Sequence, residues 1–308
     1  MNILLTYNHS AWNRAGYYLE KYFTALGHKV FNIPLEKTPY WSDWGFRLPV
    51  YIPKGLPVSI QSLEKKLGVR FDCVIEIDGT GQFHLSGMKS AKIPAILWSI
   101  DTHVRAKNRF QIYFQEDFNL ILTCHKDYTE NFHKTRCEWL PLAADPDLHR
   151  PMKTPKIYDI AFVGNTNPQV YPDRVRYLEA LSKKYRVGVF PNLFGDEMVT
   201  VLNQGKLVFN KSFNGDFNMR VFEALSMGAC LLTDRVQNGL SDLFEDGKHL
   251  ITYGDLVELD QKAAYYLLHD EEREAIARAG RAEVLARHTY YIRAKETMKF
   301  IENLKENK

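Results

Sequence analysis

The chain opens on Asn2-Ile-Leu-Leu-Thr-Tyr7, a short apolar run of residues that favour a β-strand. An amphipathic stretch follows at residues 13–26 and stops at Gly27, and a second apolar run occupies residues 29–33. A strand, a helix and another strand in this order form the βαβ unit of a parallel sheet. This opening therefore predicts an α/β fold.

The same alternation of apolar runs and helical patterns continues along the chain. In the first half we expect a helix near residues 128–133 and strands at 73–77, 95–100, 120–123 and around Trp139. In the second half we expect strands at 157–163, 186–190, 207–210, 229–233 and 249–251, and helices at 173–184, 219–227, 256–269, 271–286 and 290–304. Such near-continuous apolar strands are typical of parallel sheets, which are buried on both faces.

Length and composition restrict the class of protein. At roughly 150 residues per domain, 308 residues suggest two domains. Hydrophobic residues make up 45% and charged residues 25%, the balance of an ordinary soluble globular protein. The formal charge of +3 is too small to predict nucleic acid as a partner, because such binding needs a concentrated basic face.

The sequence shows no pattern of a membrane or secreted protein. No apolar run approaches the roughly 20 residues that a spanning helix needs, and the start lacks the basic and apolar regions of a signal peptide. Cys73, Cys124, Cys137 and Cys230 are far apart and form no CxxC pair, so we expect neither a disulfide framework nor a zinc ribbon. We therefore expect a cytoplasmic protein.

Two proline-rich segments interrupt the alternation. Residues 34–57 contain several prolines and aromatics; this stretch is either a functional loop or lid, or a stiffened loop whose aromatics cover the sheet edge. Residues 141–155 contain four prolines among turn formers, which is typical of a linker. We predict two doubly wound Rossmann-like domains with a cleft between them, at residues 1–145 and 146–288, followed by a helix at 289–308.

A segment of the second half carries the strongest site pattern: Asn210-Lys-Ser-Phe-Asn-Gly-Asp-Phe-Asn-Met-Arg220-Val-Phe-Glu223-Ala-Leu-Ser-Met-Gly228. A strand runs through a polar, glycine-containing loop into a helix, whose free N–H groups and dipole suit a phosphate. Arg220 could add a forked cation, and Glu223 could accept hydrogen bonds from two hydroxyl groups. The alternative is a solvated ion pair at i, i+3 on a helix.

Residues 220–228 resemble the donor-site helix of GT-B glycosyltransferases, particularly the group related to the spore-maturation CgeB proteins. Residues 140–151, 159–165 and 238–255 are similar to the interdomain segment, the glycine loop and the block after the donor helix of such enzymes. The resemblance extends from about residue 120 to the C-terminus. It implies a GT-B fold whose second domain binds a nucleotide-diphosphate sugar and whose last helix crosses back onto the first domain.

The resemblance also implies a donor site. Its candidate residues are Gly164, Asn165, Thr166, Phe190, Asn192, Lys211, Asn218, Arg220 and Glu223, of which Phe190 and Asn192 would hold the base. Many retaining members carry two glutamates eight positions apart, and only the second is matched, by Glu223, because position 215 is Gly. The basic residues that usually follow the glycine loop are not at their usual places, so Arg174, Lys211 or Arg220 would supply the phosphate charge.

Polar residues at strand ends of the first half are candidates for the chemistry and the acceptor. Asp101 and then His103 are our choices for the catalytic base, with helix capping by Asp101 as the alternative. Asp78 could bind acceptor hydroxyls or cap a helix. Asn8 and His9, which close the first strand, could contact the donor's sugar or phosphates.

We expect no metal or other cofactor. The histidines show no metal-ligand spacing, and the DxD triplet Asp145-Pro-Asp147 lies in the linker, where a turn is expected. Arg, Lys and helix dipoles would then balance the leaving diphosphate.

The resemblance implies a glycosyltransferase that moves a sugar from a nucleotide-diphosphate sugar to an unknown acceptor (glycan, protein or small molecule), with retention slightly favoured over inversion. A nucleotide-sugar epimerase and a non-catalytic nucleotide-sugar sensor remain as alternatives. Membrane association also stays open, because the following lysines could form a basic patch or simply cover solvated helix faces: Lys65, Lys66, Lys89, Lys92, Lys183 and Lys184.

Overall fold

The computed structural model describes residues 1–7, 15–34, 46–47, 59–77, 85, 87–100, 102 and 105–306. The described strands are β1 (Asn2–Tyr7), β2 (Lys29–Pro34), β3 (Phe46–Arg47), β4 (Cys73–Ile77), β5 (Ala95–Ser99), β6 (Leu120–Thr123), β7 (Cys137–Trp139), β8 (Tyr158–Val163), β9 (Val187–Phe190), β10 (Gly205–Phe209), β11 (Cys230–Asp234) and β12 (Ile251–Tyr253).

The described helices are α1 (Ala15–Ala25), α2 (Ile60–Leu67), α3 (Met88–Ala91), α4 (Arg105–Phe114), α5 (Pro172–Ser182), α6 (Gly195–Asn203), α7 (Met219–Ser226), α8 (Leu240–Leu243), α9 (Leu256–Leu268), α10 (Asp270–Arg287) and α11 (Tyr290–Glu306). The chain divides into two compact units. One contains Met1–Leu142 and Tyr290–Lys308, and the other contains Ala143–Thr289.

The first unit is built on a sheet in the order β3-β2-β1-β4-β5-β6-β7, and its paired strands all run parallel. Strands β1, β4, β5 and β6 are almost fully buried, as the apolar runs predicted. The order reverses between β1 and β4, which makes this pair the switch point of a doubly wound sheet.

The last helix belongs to the first unit and packs on α1. The rings of Tyr18 and Tyr290 are both buried, and their centroids lie 4.8 Å apart. Arg293 is buried as well, and its Nε donates to the carbonyl oxygen of Pro141 at 2.6 Å. This bond ties α11 to the end of the first sheet, while Nη1 of the same guanidinium pairs with Glu296 at 2.9 Å within the helix.

The second unit is built on a parallel sheet in the order β12-β11-β10-β8-β9. Its switch point lies between β8 and β10, which pair with Leu207 opposite Ile160. The orders of the first and the second sheet are the two common orders of doubly wound sheets. In both, ligands bind outside the carboxyl ends of the strands, at the switch point.

Local signals account for most element types, with a few differences. The helix expected near residues 128–133 is instead a short 3-10 helix at Lys126–Asn131, in which the Thr129 hydroxyl bonds to the Lys126 carbonyl oxygen. Strand β3 and helices α2, α3, α6 and α8 were not predicted, and α4 was expected only in the alternative in which Asp101 caps a helix. None of the described helices is long and apolar enough to cross a membrane.

Close packing of α10 on α7 depends on Gly280. A Cβ at this position would overlap the carbonyl oxygen of His249 and come within 2.8 Å of Leu225 Cδ2. One residue later, Arg281 Nε donates to the carbonyl oxygen of Ser226 at the end of α7, at 3.2 Å. The lack of a side chain at Gly280 therefore allows α10 to pack closely against α7.

We predict that Gly280→Ala lowers the free energy of unfolding by about 2 kcal/mol, because overpacking outweighs the better helix propensity of Ala. Urea denaturation followed by circular dichroism would measure this. The exposed Ala275 of the same helix gives the matched control, since Ala275→Gly changes propensity alone. A Gly280→Ala protein as stable as the wild type would contradict the packing argument.

Candidate functional site

The candidate site lies at the switch point of the second unit, where two loops leave the sheet side by side. Strand β8 ends at Val163 and continues into Gly164, while β10 ends at Phe209 and continues through a polar loop into α7. Neighbouring parallel strands whose loops turn to opposite faces leave a crevice at this edge.

Arg174 joins the two loops. It follows Pro172, which begins α5, and its guanidinium donates to the carbonyl oxygens of Asn165 (3.0 Å) and Lys211 (2.9 Å). Only 8% of the residue is exposed, and burial lowers the pKa of its guanidinium. Among the described residues, no carboxylate lies within ion-pair distance of Arg174, although the charge of Asp234 acts on it from farther away. The guanidinium also lies over the rings of Tyr171 (4.1 Å) and Phe162 (5.8 Å).

Lys211 is held by the carboxylate that ends the next strand. Its Nζ lies 2.8 Å from Asp234 Oδ2, and the main-chain N–H of Ser212 donates to Asp234 Oδ1 at 2.7 Å. Asp234 therefore fixes both the side chain of Lys211 and the backbone of its loop.

Asn218 begins α7. Its Oδ1 accepts from the N–H of Arg220 at 3.1 Å, which caps the helix, and its Nδ2 donates to Asn210 Oδ1 at 3.2 Å. The predicted donor residue Asn218 thus links the helix start to the end of β10.

Arg220 and Glu223 form the i, i+3 pair that the sequence allows, but the pair is buried rather than solvated. Arg220 Nη1 lies 2.6 Å from Glu223 Oε2, and the side chains are 16% and 4% exposed. Arg220 Nη2 also donates to the carbonyl oxygen of Val163 at 3.3 Å. The other carboxylate oxygen of Glu223 lies 3.4 Å from Nε2 of His149, which is fully buried.

The remaining predicted donor residues lie along β9 and the glycine loop. The N–H of Gly164 donates to the carbonyl oxygen of Phe190, whose ring packs on Tyr158 with centroids 5.6 Å apart. Thr166 lines a hollow between α5 and β9. Asn192 is exposed, with a left-handed φ of 61°.

The structure therefore brings together Lys211, Asn218, Arg220 and Glu223, and joins them to the loop of Asn165 through Arg174. Thr166, in that same loop, lines the hollow beside β9, Phe190 ends β9, and Asn192 follows it. The candidates Asn8, His9, Asp78, Asp101 and His103 lie outside the described residues.

Sequence reasoning missed two residues of the site, His149 and Asp234. Asp234 had a usable signal, because it ends the apolar run Cys230-Leu-Leu-Thr-Asp234 and so falls at the carboxyl edge of the sheet. His149 had none, since it lies in the linker, 74 positions before Glu223.

The DxD triplet forms a turn. The N–H of Asp147 donates to Asp145 Oδ1 at 3.2 Å, and the N–H of His149 donates to the Asp145 carbonyl oxygen at 2.7 Å. Over the described part of the chain, no three His, Cys, Asp or Glu side chains gather as a metal-ligand group.

We predict that Glu223→Ala lowers the free energy of unfolding by about 3 to 5 kcal/mol, because it leaves a largely buried guanidinium without its carboxylate. The double variant Arg220→Leu, Glu223→Leu removes both charges and should be closer to the wild type in stability. Denaturant titrations of the three proteins would measure this. A single variant no less stable than the double one would contradict the buried-pair description.

Comparison with known proteins agrees with this architecture. A family model described as glycosyl transferase-like matches residues 146–299, which is half of the chain. No curated protein sequence matches the chain.

Solved structures match the whole chain. The sucrose-phosphate synthase of Thermosynechococcus elongatus is 12% identical with a TM-score of 0.72, and all of both chains is covered. A glycosyltransferase of Rickettsia africae is also 12% identical, with a TM-score of 0.74 and coverage of 100% of this chain and 99% of that one. HepE of Anabaena, solved with UDP and glucose, is 12% identical with a TM-score of 0.70 and coverage of 98% and 100%. This chain belongs to the glycosyl transferase-like family, and its two parallel-sheet α/β domains have the GT-B fold.

Proposed function

We propose that the protein transfers a sugar from a nucleotide-diphosphate sugar to an acceptor hydroxyl. The observation that carries this proposal is the buried charge of Arg174, which bonds to both loops of the switch point and has no carboxylate at ion-pair distance among the described residues. Arg220 is close enough for its charge to lower the pKa of Arg174 further. A bound diphosphate would relieve this crowding of positive charge.

The donor is proposed to be a UDP-sugar in the first instance, because HepE, which shares the fold, was solved in complex with UDP-glucose. Arg174, Lys211 and Arg220 would face the diphosphate, and Glu223 the ribose hydroxyls. Gly164, Asn165 and Thr166 would border the phosphates, Asn218 would hold the helix start, and Phe190 and Asn192 would border the base. We further propose membership of the CgeB-related group and retention of configuration.

The acceptor side is proposed to use residues of the first unit. In the reaction, the acceptor oxygen bonds to the anomeric carbon, the bond from that carbon to the diphosphate breaks, and the hydroxyl proton passes to a base. Asp101, or else His103, is proposed as this base, with Asn8, His9 and Asp78 contacting sugar or acceptor. The cations would stabilise the leaving diphosphate without a metal ion.

Incubation with UDP-, GDP-, ADP- and dTDP-sugars tests the reaction class. Transfer releases a nucleoside diphosphate, whereas an epimerase inverts C2 without release and a sensor binds without either change. Only the first outcome agrees with the proposed function. High-performance liquid chromatography of the nucleotides, with NMR of the sugar, separates the three.

We predict that Arg174→Met weakens nucleoside diphosphate binding about 10- to 100-fold, because charge-assisted hydrogen bonds contribute about 1.5–3 kcal/mol each. Arg176→Met is the matched control, since Arg176 lies on the same helix with 66% of its side chain exposed and should leave affinity unchanged. Isothermal titration calorimetry measures both. Equal affinities in the two variants would remove Arg174 from the phosphate site.

We predict that Asp101→Asn lowers turnover about 100-fold or more, because a general base typically contributes 10²–10⁴-fold, while nucleotide affinity stays nearly intact. Steady-state rates and calorimetry on the same preparation give both quantities. A wild-type rate would eliminate Asp101 as the base and leave His103 to be tested in the same way.

A further inference from the structure

His149 lies in a tight turn that selects the tautomer of its neutral ring. Its N–H donates to the carbonyl oxygen of Asp145 at 2.7 Å, and its Nδ1 accepts from the N–H of Asp145 at 3.1 Å. Because a main-chain N–H is always a donor, Nδ1 must present its lone pair. The neutral ring then carries its proton on Nε2.

The Nε2–H group of His149 lies next to the buried carboxylate of Glu223. Nε2 lies 3.4 Å from Glu223 Oε1, while Glu223 Oε2 lies 2.6 Å from Arg220 Nη1. At 3.4 Å the His149 contact is electrostatic rather than a full hydrogen bond. The Ser226 hydroxyl donates to the carbonyl oxygen of His149 at 2.7 Å and fastens the turn to the same helix.

A second turn in the chain provides an internal comparison. The N–H of Glu245 donates to Nδ1 of His249 at 3.1 Å, and the N–H of His249 donates to the Glu245 carbonyl oxygen at 3.0 Å. Within the described ranges, no carboxylate lies within 4 Å of the His249 ring nitrogens. The turn therefore forms without a carboxylate at Nε2, and the contact with Glu223 is an added feature of the first turn.

We propose that His149 is a positioning residue of the donor site: its Nε2–H orients the carboxylate of Glu223, which holds Arg220 against the end of β8. A neutral donor suits this task, because a charged imidazole would compete with Arg220 for the carboxylate. The inference rests on the proposed function, in which Arg220 faces the diphosphate of a nucleotide sugar.

Two substitutions separate the two ring nitrogens. His149→Asn keeps a polar group at the level of Nδ1 and removes the donor to Glu223, whereas His149→Gln carries an amide to the level of Nε2. We expect His149→Asn to weaken UDP binding and raise the KM for a UDP-sugar about tenfold, with kcat changed less than about threefold. His149→Gln should recover most of the affinity, and the matched control His249→Asn should leave it unchanged.

The Glu223→Ala background tests whether His149 acts through Glu223, because alanine leaves no side-chain oxygen to accept from Nε2. There His149→Asn should cause no further loss, because the carboxylate that it positions is gone. A loss that persists undiminished in this background would overturn the inference, as would wild-type UDP affinity in His149→Asn, and both results leave the proposed function intact. If the unaltered protein binds none of UDP, GDP, ADP and dTDP, the proposed function and this inference fail together.

Thermal melts establish that each variant is folded. Should His149→Asn not fold, the ¹⁵N NMR shifts of the imidazole in the unaltered protein decide the point. A neutral ring protonated on Nε2, with shifts that change on UDP binding, supports the proposal. A proton on Nδ1 overturns it.

Discussion

A buried guanidinium must be surrounded by acceptors, and Arg174 finds them in the two loops that leave the second sheet on either side of its switch point. One side chain thus links the loops after β8 and β10, and no described carboxylate lies within ion-pair distance of it. The neighbouring cations differ in this respect, because Lys211 is matched by Asp234 and Arg220 by Glu223. The site thus combines two close ion pairs with one buried guanidinium that has no carboxylate at ion-pair distance in the described part of the chain.

The architecture was largely predictable from the sequence, because buried parallel strands consist of uninterrupted runs of apolar residues. The strands at Asn2–Tyr7, Cys73–Ile77 and Leu120–Thr123 have the expected bounds. Helix α6 was missed because Gly195 stands at its first position after a turn with a left-handed Asn192, so its start has the local signals of a loop. The strand order was not predictable residue by residue, since pairing depends on contacts between distant segments.

The site could be predicted only as far as its chemistry is local. A strand, a polar loop and a helix at residues 205–226 place Lys211, Asn218, Arg220 and Glu223 within one supersecondary unit, and these are the residues that the structure brings together. The sequence did not show which residues of other segments pair with them. Asp234 reaches Lys211 across 23 positions, and His149 reaches Glu223 from the linker. The periodicity of apolar residues indicates whether a segment forms a helix or a strand. It does not indicate which distant side chain completes an ion pair.

Burial changes the meaning of the Arg220–Glu223 pair. On a solvated helix surface such a pair stabilises by tenths of a kcal/mol and orients nothing. With the carboxylate 4% exposed, desolvation offsets much of the attraction, so two apolar side chains of similar volume would serve stability equally well. Stability alone therefore does not account for this arrangement. What the buried pair supplies, and apolar packing could not, is a guanidinium held in one orientation between a carboxylate and the carbonyl oxygen of Val163, at the edge where a doubly wound sheet receives its ligand.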